Sequence, residues 1–313
     1  MTTQLTEIGW NGSFGSGIWT NQADIVNLGD RVIVDEGVVV NTLDGNDVIS
    51  GRVGTGPSFI NKGTINTGSG DDTIRGSGFR LGDGLLNTGT IKTGSGDDII
   101  EASGDAQGLI NSGTINTGDG NDIIKANANH SAPLFNTGLI ETGNGDDIIT
   151  QGLYADSIGN TGTINTGNGN DIINGNEFGG KTIRNTGLIE TGNGDDIINQ
   201  NALGSIIFNT GLITTGNGND TVNGGIETLS GGAGSIDLGN GDDLIYGFWA
   251  QNVNGGRGFD TAKLGIAYDQ TLLSVGSSFD IQIGDMNFTN VEKFVFSTGE
   301  TFSLQNLQAQ VII

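Results

Sequence analysis

The 313-residue sequence has no cysteine, two prolines, one histidine, twelve lysines and arginines, and only 6% aromatic residues. Each scarcity excludes something. Without cysteine there is no disulfide framework and no thiolate metal site, so rigidity must come from elsewhere. With a single histidine, His130, in a stretch of changing sequence, imidazole chemistry has no second partner. Few basic residues against 36 aspartates and glutamates give a net charge of −24. Such a chain repels nucleic acid and anionic membranes and invites cations. No apolar run reaches the 18 residues that a membrane-spanning helix needs. Met1–Trp10 has neither a basic start nor an apolar stretch, so it does not read as a cleavable signal peptide. The aromatic content is too low for a large globular core.

What is abundant is glycine, 58 residues without a Gly-X-Y pattern, which excludes collagen. Disorder is the default for an acidic, glycine-rich chain. Against it stands an internal repeat, and a repeat outranks the usual division of such a length into two globular domains. NTGLIETGNGDDII occupies Asn136–Ile149 and recurs unchanged at Asn185–Ile198, with NTGTINTGNGNDII at Asn160–Ile173 between them. One aspartate closes every glycine-rich loop: Asp47, Asp72, Asp98, Asp122, Asp147, Asp171, Asp196, Asp220, Asp243 and Asp260. The residue before it varies among Asn, Asp and Phe. The fixed position is a carboxylate.

Short β-branched segments flank each loop and no segment has a capped 3.6-residue period, so the units read as strands. Strands this short satisfy their backbone groups by pairing with the same position one turn away. The expected fold is all-β: a parallel β-solenoid (β-helix or β-roll) of about nine to ten turns with N- and C-terminal caps. Residues 1–36, holding Trp10, Phe14 and Trp19, form the expected N-terminal cap, 37–262 the solenoid and 263–313 a β-rich C-terminal cap. Strands are expected there at Phe279–Ile283, Val291–Phe296 and Thr301–Leu304. Two isoleucine ladders, Ile65 to Ile213 and Ile74 to Val222, face the core. Asn61, Asn87, Asn111, Asn136, Asn160, Asn185 and Asn209 form a hydrogen-bonded corner ladder.

Stacking the loops sets carboxylates about 4.8 Å apart along one edge. Each neighbouring pair repels by about 1 kcal/mol in water and by more where water is excluded. A divalent cation between turns reverses the sign. Ca²⁺ fits best, since it takes six to eight oxygens in flexible geometry. The expected donors are the ten aspartates and the backbone of the glycine pairs Gly68/Gly70, Gly94/Gly96, Gly118/Gly120, Gly143/Gly145, Gly167/Gly169, Gly192/Gly194, Gly216/Gly218, Gly239/Gly241 and Gly256/Gly258. Up to about nine ions fit the gaps, bringing −24 to about −6. The first loop, Leu43–Asp47, lacks the leading glycine and is expected to be weaker.

These loops resemble the hemolysin-type, or repeats-in-toxin, calcium-binding repeat, Gly-Gly-x-Gly-x-Asp-x-apolar-x. Gly255-Gly256-Arg257-Gly258-Phe259-Asp260-Thr261-Ala262 matches best, with Gly231-Gly232-Ala233-Gly234 beside it. The resemblance runs from about Asn41 to Leu264. It implies a parallel β-roll with Ca²⁺ between turns, the last aspartate of each loop as side-chain ligand, and secretion by an uncleaved C-terminal signal. The 24–25-residue turn departs from the family's two nonapeptides, so one edge only is expected to bind. The expected function is that of a secreted, calcium-stabilised structural or adhesin-like surface protein, not an enzyme. Expected partners are calcium ions and a second copy or a cell-surface polysaccharide. The apolar row Ile99, Ile123, Ile148, Ile172 and Ile197 is the candidate contact. Two alternatives remain. One is ice binding by the threonine ladder Thr67, Thr93, Thr117, Thr142, Thr166, Thr191 and Thr215. The other is a polysaccharide-modifying β-helix enzyme, although Tyr154, Lys181 and Arg184 form no visible cluster.

Overall fold

The computed structural model describes residues 3–4, 20–152, 157–175, 182–200, 207–224, 233–276, 278 and 280–311. Trp10, Phe14, Trp19, Tyr154, Lys181, Gly231, Gly232 and Phe279 lie outside them. The chain is a parallel β-solenoid. Its described strands form three long sheets of 14, 13 and 9 strands, and neighbours within a sheet come from successive turns. One complete turn shows the plan. Leu85–Asn87 lies in the nine-stranded sheet, Thr90–Ser95 in the thirteen-stranded sheet and Ile99–Gly104 in the fourteen-stranded sheet. Residues at the same point of consecutive turns pair in register, as in Ile91 with Ile65 and Ile115, and Ile100 with Ile74 and Ile124.

Strict alternation within each strand gives a dry interior. Both isoleucine ladders are fully buried. A third buried ladder comes from the nine-stranded sheet: Phe59, Leu85, Leu109, Leu134, Ile158, Ile183 and Ile207. Three apolar columns therefore fill the core, which is why so few aromatics suffice. The asparagine ladder is buried at one corner, each Nδ2 donating to the Oδ1 one turn on at 2.8–2.9 Å from Asn61 through Asn185. The glycine of each NTG corner is required by close approach, since a Cβ on Gly138 would lie 2.1 Å from the Gly113 carbonyl oxygen.

The sheets already include Asp24–Leu28 and Val32–Val34, inside the segment expected to be an N-terminal cap. At the other end the parallel stacking stops. Ile281–Ile283 pairs antiparallel with Met286–Thr289, Lys293–Val295 pairs antiparallel with Thr301–Ser303, and a short helix, Leu304–Gln308, follows. Antiparallel strands and a helix cover the sheet ends, which blocks addition of another turn.

Candidate metal-binding edge

The aspartate edge is built by the loop between the thirteen- and fourteen-stranded sheets. Its two glycines sit where a side chain is strained, with φ of 99–113° at the first and 123–140° at the second from Gly68 to Gly258. Leu43 takes the first position of the earliest loop and adopts φ 77° all the same. Stacking is as restrictive as the dihedrals: a Cβ on Gly145 would lie 2.0 Å from the Gly120 carbonyl oxygen. The loops are thereby held in close backbone contact along the rod.

The ten fixed aspartates all point inward and are at most 2% exposed. Their two carboxylate oxygens differ. Oδ1 accepts the backbone N–H of the ladder residue one turn back at 2.7–2.9 Å, from Asp24 N–H onto Asp47 through Asp243 N–H onto Asp260. Oδ2 is buried in all ten and accepts no hydrogen bond; the threonine hydroxyl beside it at most positions gives its single proton to a backbone carbonyl. The second glycine carbonyls, Gly70, Gly96, Gly120, Gly145, Gly169, Gly194, Gly218 and Gly241, receive no N–H donor among the described residues. An unpaired buried carboxylate oxygen is costly, and here the cost repeats every turn.

The electrostatics follow. Burial raises each carboxyl above its ordinary 3.8, against the lowering effect of the accepted N–H and, at most positions, of the neighbouring threonine hydroxyl. Asp72 and Asp260 are pushed up to about 6, and Asp98, Asp147, Asp196 and Asp243 to about 7. Asp47, Asp122, Asp171 and Asp220 rise for the same reason. The other ladder aspartates add to the rise at several positions. Among the described residues no three His, Cys, Asp or Glu side chains gather around one point. A cation here would therefore need backbone carbonyls as well as carboxylate oxygens.

Two ladder members escape the Gly-x-Gly signature. Asp24 is buried, and its carboxylate turns back to accept the N–H and hydroxyl of Thr20, so it closes the ladder. Glu292 Oε2 accepts the Asp260 N–H at 2.8 Å and extends the ladder into the C-terminal segment. Neither is preceded by the glycine pair. The visible hint is position alone: Asp24 stands 23 residues before Asp47.

The threonine ladder corrects one expectation. Thr67, Thr93, Thr117, Thr142, Thr166, Thr191 and Thr215 are fully buried, so they present no face to ice. Their hydroxyls donate to the backbone carbonyl one turn on at 2.7–3.3 Å. The reason is strand parity: each threonine stands two residues after a core isoleucine on the same strand, as Thr67 does after Ile65, so both face inward.

Two polar rows face outward instead. Asp119, Asn144, Asn168, Asn193, Asn217 and Asn240 lie between the glycines, each amide donating to the residue one turn back. Beside them run Asp97, Asn121, Asp146, Asn170, Asp195, Asn219 and Asp242, in which each side-chain oxygen accepts the next residue's backbone N–H at 2.7–2.9 Å. All of these residues are exposed. The apolar row is half-buried at Ile99, Ile123, Ile148 and Ile172 and 37% exposed at Ile197. His130 is on the surface, its Nδ1 2.8 Å from the Asp105 carbonyl oxygen.

No family model and no curated protein matches the sequence. Among solved structures the chain is similar, at 21% identity, to a hyperactive, Ca²⁺-dependent, β-helical antifreeze protein from an Antarctic bacterium, over 94% of this chain and 97% of that one with a TM-score of 0.45.

Proposed function

We propose that the aspartate edge binds Ca²⁺ between successive turns and that the protein is a calcium-stabilised β-solenoid with a structural or surface role. The observation that carries this reading is the row of ten buried Oδ2 atoms without a partner. A hydrogen-bonded ladder alone has no use for them. The Oδ1 atoms already hold the turns together, and an Asn would do that without a buried charge. Asp47 to Asp260 would supply the carboxylate oxygens, and the glycine-pair backbone the carbonyls. Oxygen-only donors and the absence of any His or Cys from this edge favour a hard cation. Bound Ca²⁺ would neutralise the ladder and tie each turn to the next, coupling folding to metal. An extracellular site of action, with the C-terminal segment directing export, belongs to the same reading. The test is a Ca²⁺ titration of chelator-treated protein followed by circular dichroism, with bound metal counted. Binding of several ions per chain with a rise in melting temperature supports it. An unchanged spectrum and melting temperature in EGTA would remove it.

A second reading is ice binding by the edge itself. It rests on the two exposed Asx rows, which repeat once per turn in register and are pinned by the hydrogen bonds described above. Such a flat, ordered array of donors and acceptors suits an ordered water layer. Thermal hysteresis measured at micromolar protein with and without Ca²⁺ decides it. Activity that disappears when Asn168 and Asn193 are replaced by Leu favours this reading, and no hysteresis excludes it.

A further inference from the structure

Cations are few in this chain, yet two arginines border one trough on the outer face of the fourteen-stranded sheet. The trough has a volume of about 400 Å³ and is open to solvent along one side. Two register rows make its floor. Arg52, Ser77 and Ser103 pair in one row, and Ser50, Arg75 and Glu101 in the next. Adjacent members are therefore about 4.8 Å apart along the rod axis. Arg75 is held by Glu101 at 2.7 Å. Arg52 is exposed and meets no carboxylate among the described residues; its guanidinium lies 5.5 Å from the centroid of the Phe79 ring. Phe79 is 42% exposed. Its backbone N–H donates to Val53, and its ring lies close over Gly54, where a Cβ would come within 3.2 Å of it. The ring is thus fixed by its own backbone and by a glycine, with part of it left bare.

We propose that this trough binds a linear acidic oligosaccharide, laid along the rod with a uronate carboxylate on Arg52. Each component has a use for that ligand and for few others. A guanidinium pairs a carboxylate through two parallel hydrogen bonds. The part of the Phe79 ring left exposed beside the guanidinium offers apolar contact to the C–H face of a sugar ring. Serine hydroxyls at one per turn match the sugar hydroxyls of an extended oligomer. A free inorganic anion would use the arginine and leave the phenylalanine idle. A net charge of −24 opposes any polyanion, but duplex nucleic acid, with one charge per ~1.7 Å, meets far more repulsion than an oligosaccharide with one charge per sugar. The trough shares no residue with the aspartate edge, although its strands fold only with the rest of the solenoid.

The experiment is isothermal titration calorimetry of the full chain in millimolar CaCl₂, with a hexuronic-acid tetrasaccharide, a neutral hexose tetrasaccharide and sodium sulfate as separate titrants. The uronate oligomer is expected to bind, the neutral one and sulfate to bind at least tenfold more weakly. Arg52→Ala and Phe79→Ala are each expected to weaken uronate binding at least tenfold, with circular dichroism unchanged. Lys92→Ala, exposed on the thirteen-stranded sheet, is expected to leave it unchanged. Absence of uronate binding overturns the proposal. So does equal binding of sulfate, or uronate binding that survives both trough substitutions. A loss of β-structure in EGTA with uronate binding intact in CaCl₂ separates this site from the calcium reading.

Discussion

Removing metal should make this protein more stable in acid than at neutral pH, the reverse of the usual behaviour of carboxylate-rich folds. The perturbation is EGTA. In its presence each ladder carboxyl must be either protonated or charged in a buried site. Asp98, Asp147, Asp196 and Asp243 are pushed from 3.8 to about 7, chiefly by burial. A carboxyl so displaced favours the protonated fold by about 4 kcal/mol. One such site alone is a large fraction of the ~5–15 kcal/mol that holds a domain together. The sign follows from proton counting. Between pH 4 and 7 the folded chain holds more protons than the unfolded one, so unfolding free energy falls as pH rises. This stabilisation in EGTA is therefore fully present below about pH 4, still large at pH 4.5, and lost as pH passes through about 7. Surface repulsion has the same sign, and 1 M NaCl removes it, since the Debye length falls to about 3 Å while buried charges stay unscreened. The assay is thermal unfolding by circular dichroism at pH 4.5 and pH 8 in EGTA with 1 M NaCl. Each kcal/mol is worth about 2–4 °C at 150–250 residues and less in a chain of 313, so the displaced carboxyls together should lower the melting temperature by about 10 °C or more at pH 8. In CaCl₂ the drop should vanish, because the ion takes the place of the protons. A melting temperature in EGTA that rises from pH 4.5 to pH 8 would refute the reasoning.

Asp147→Asn keeps the Oδ1 acceptor for the Asp122 N–H and removes one buried charge. It should raise the melting temperature in EGTA at pH 8 and lower it in CaCl₂, with about one ion fewer per chain by metal analysis; the same sign in both buffers would speak against a metal at this edge. Gly145→Ala places a Cβ 2.0 Å from the Gly120 carbonyl at φ 126°, so urea unfolding should show a loss of at least ~1–3 kcal/mol, whereas Gly29→Ala, with nothing within 4 Å, should stay within about 0.5 kcal/mol. Asn136→Ala removes one acceptor of the Asn111 amide and the donor to Asn160 Oδ1, for about 1–3 kcal/mol from the buried oxygen left unpaired. A loss below 0.5 kcal/mol would mean that water takes over at that corner.

Most of the solenoid is legible in the sequence because a turn repeats its own inside–outside pattern. The columns through Ile65 and Ile74 and the Asn61 ladder follow from alignment of the repeats alone. The third core column does not stand out, because Phe59, Leu85 and Ile158 are mixed in kind and sit beside stretches of changing length. Its signal is the fixed offset of two residues before the ladder asparagine, which strand alternation turns into a shared inward face. The direction of the Thr67 ladder, by contrast, follows from plain parity, since it stands two residues after the inward Ile65 ladder on the same strand. The ladder ends are hidden too, since Asp24 and Glu292 lack the glycine pair, and only hydrogen bonds across turns bring them into line.

The contrast between the inner and outer positions of the loop bears most directly on whether the ladder is a metal site. Both positions make the same kind of bond, a side-chain oxygen accepting a backbone N–H from a neighbouring turn. At the outer position, from Asp97 to Asp242, Asp alternates with Asn, so like charges stand two turns apart, at about 9.6 Å. That exceeds the Debye length at physiological salt, and the repulsion is largely screened. The inner position, where the carboxylates are buried and repulsion is strongest, is where charge should be relieved first. It is Asp at all ten loops. A row that needed only the acceptor would use the same alternation inside, where the saving is larger. Keeping every inner carboxylate, with every Oδ2 unpaired, makes sense if positive charge arrives between the turns.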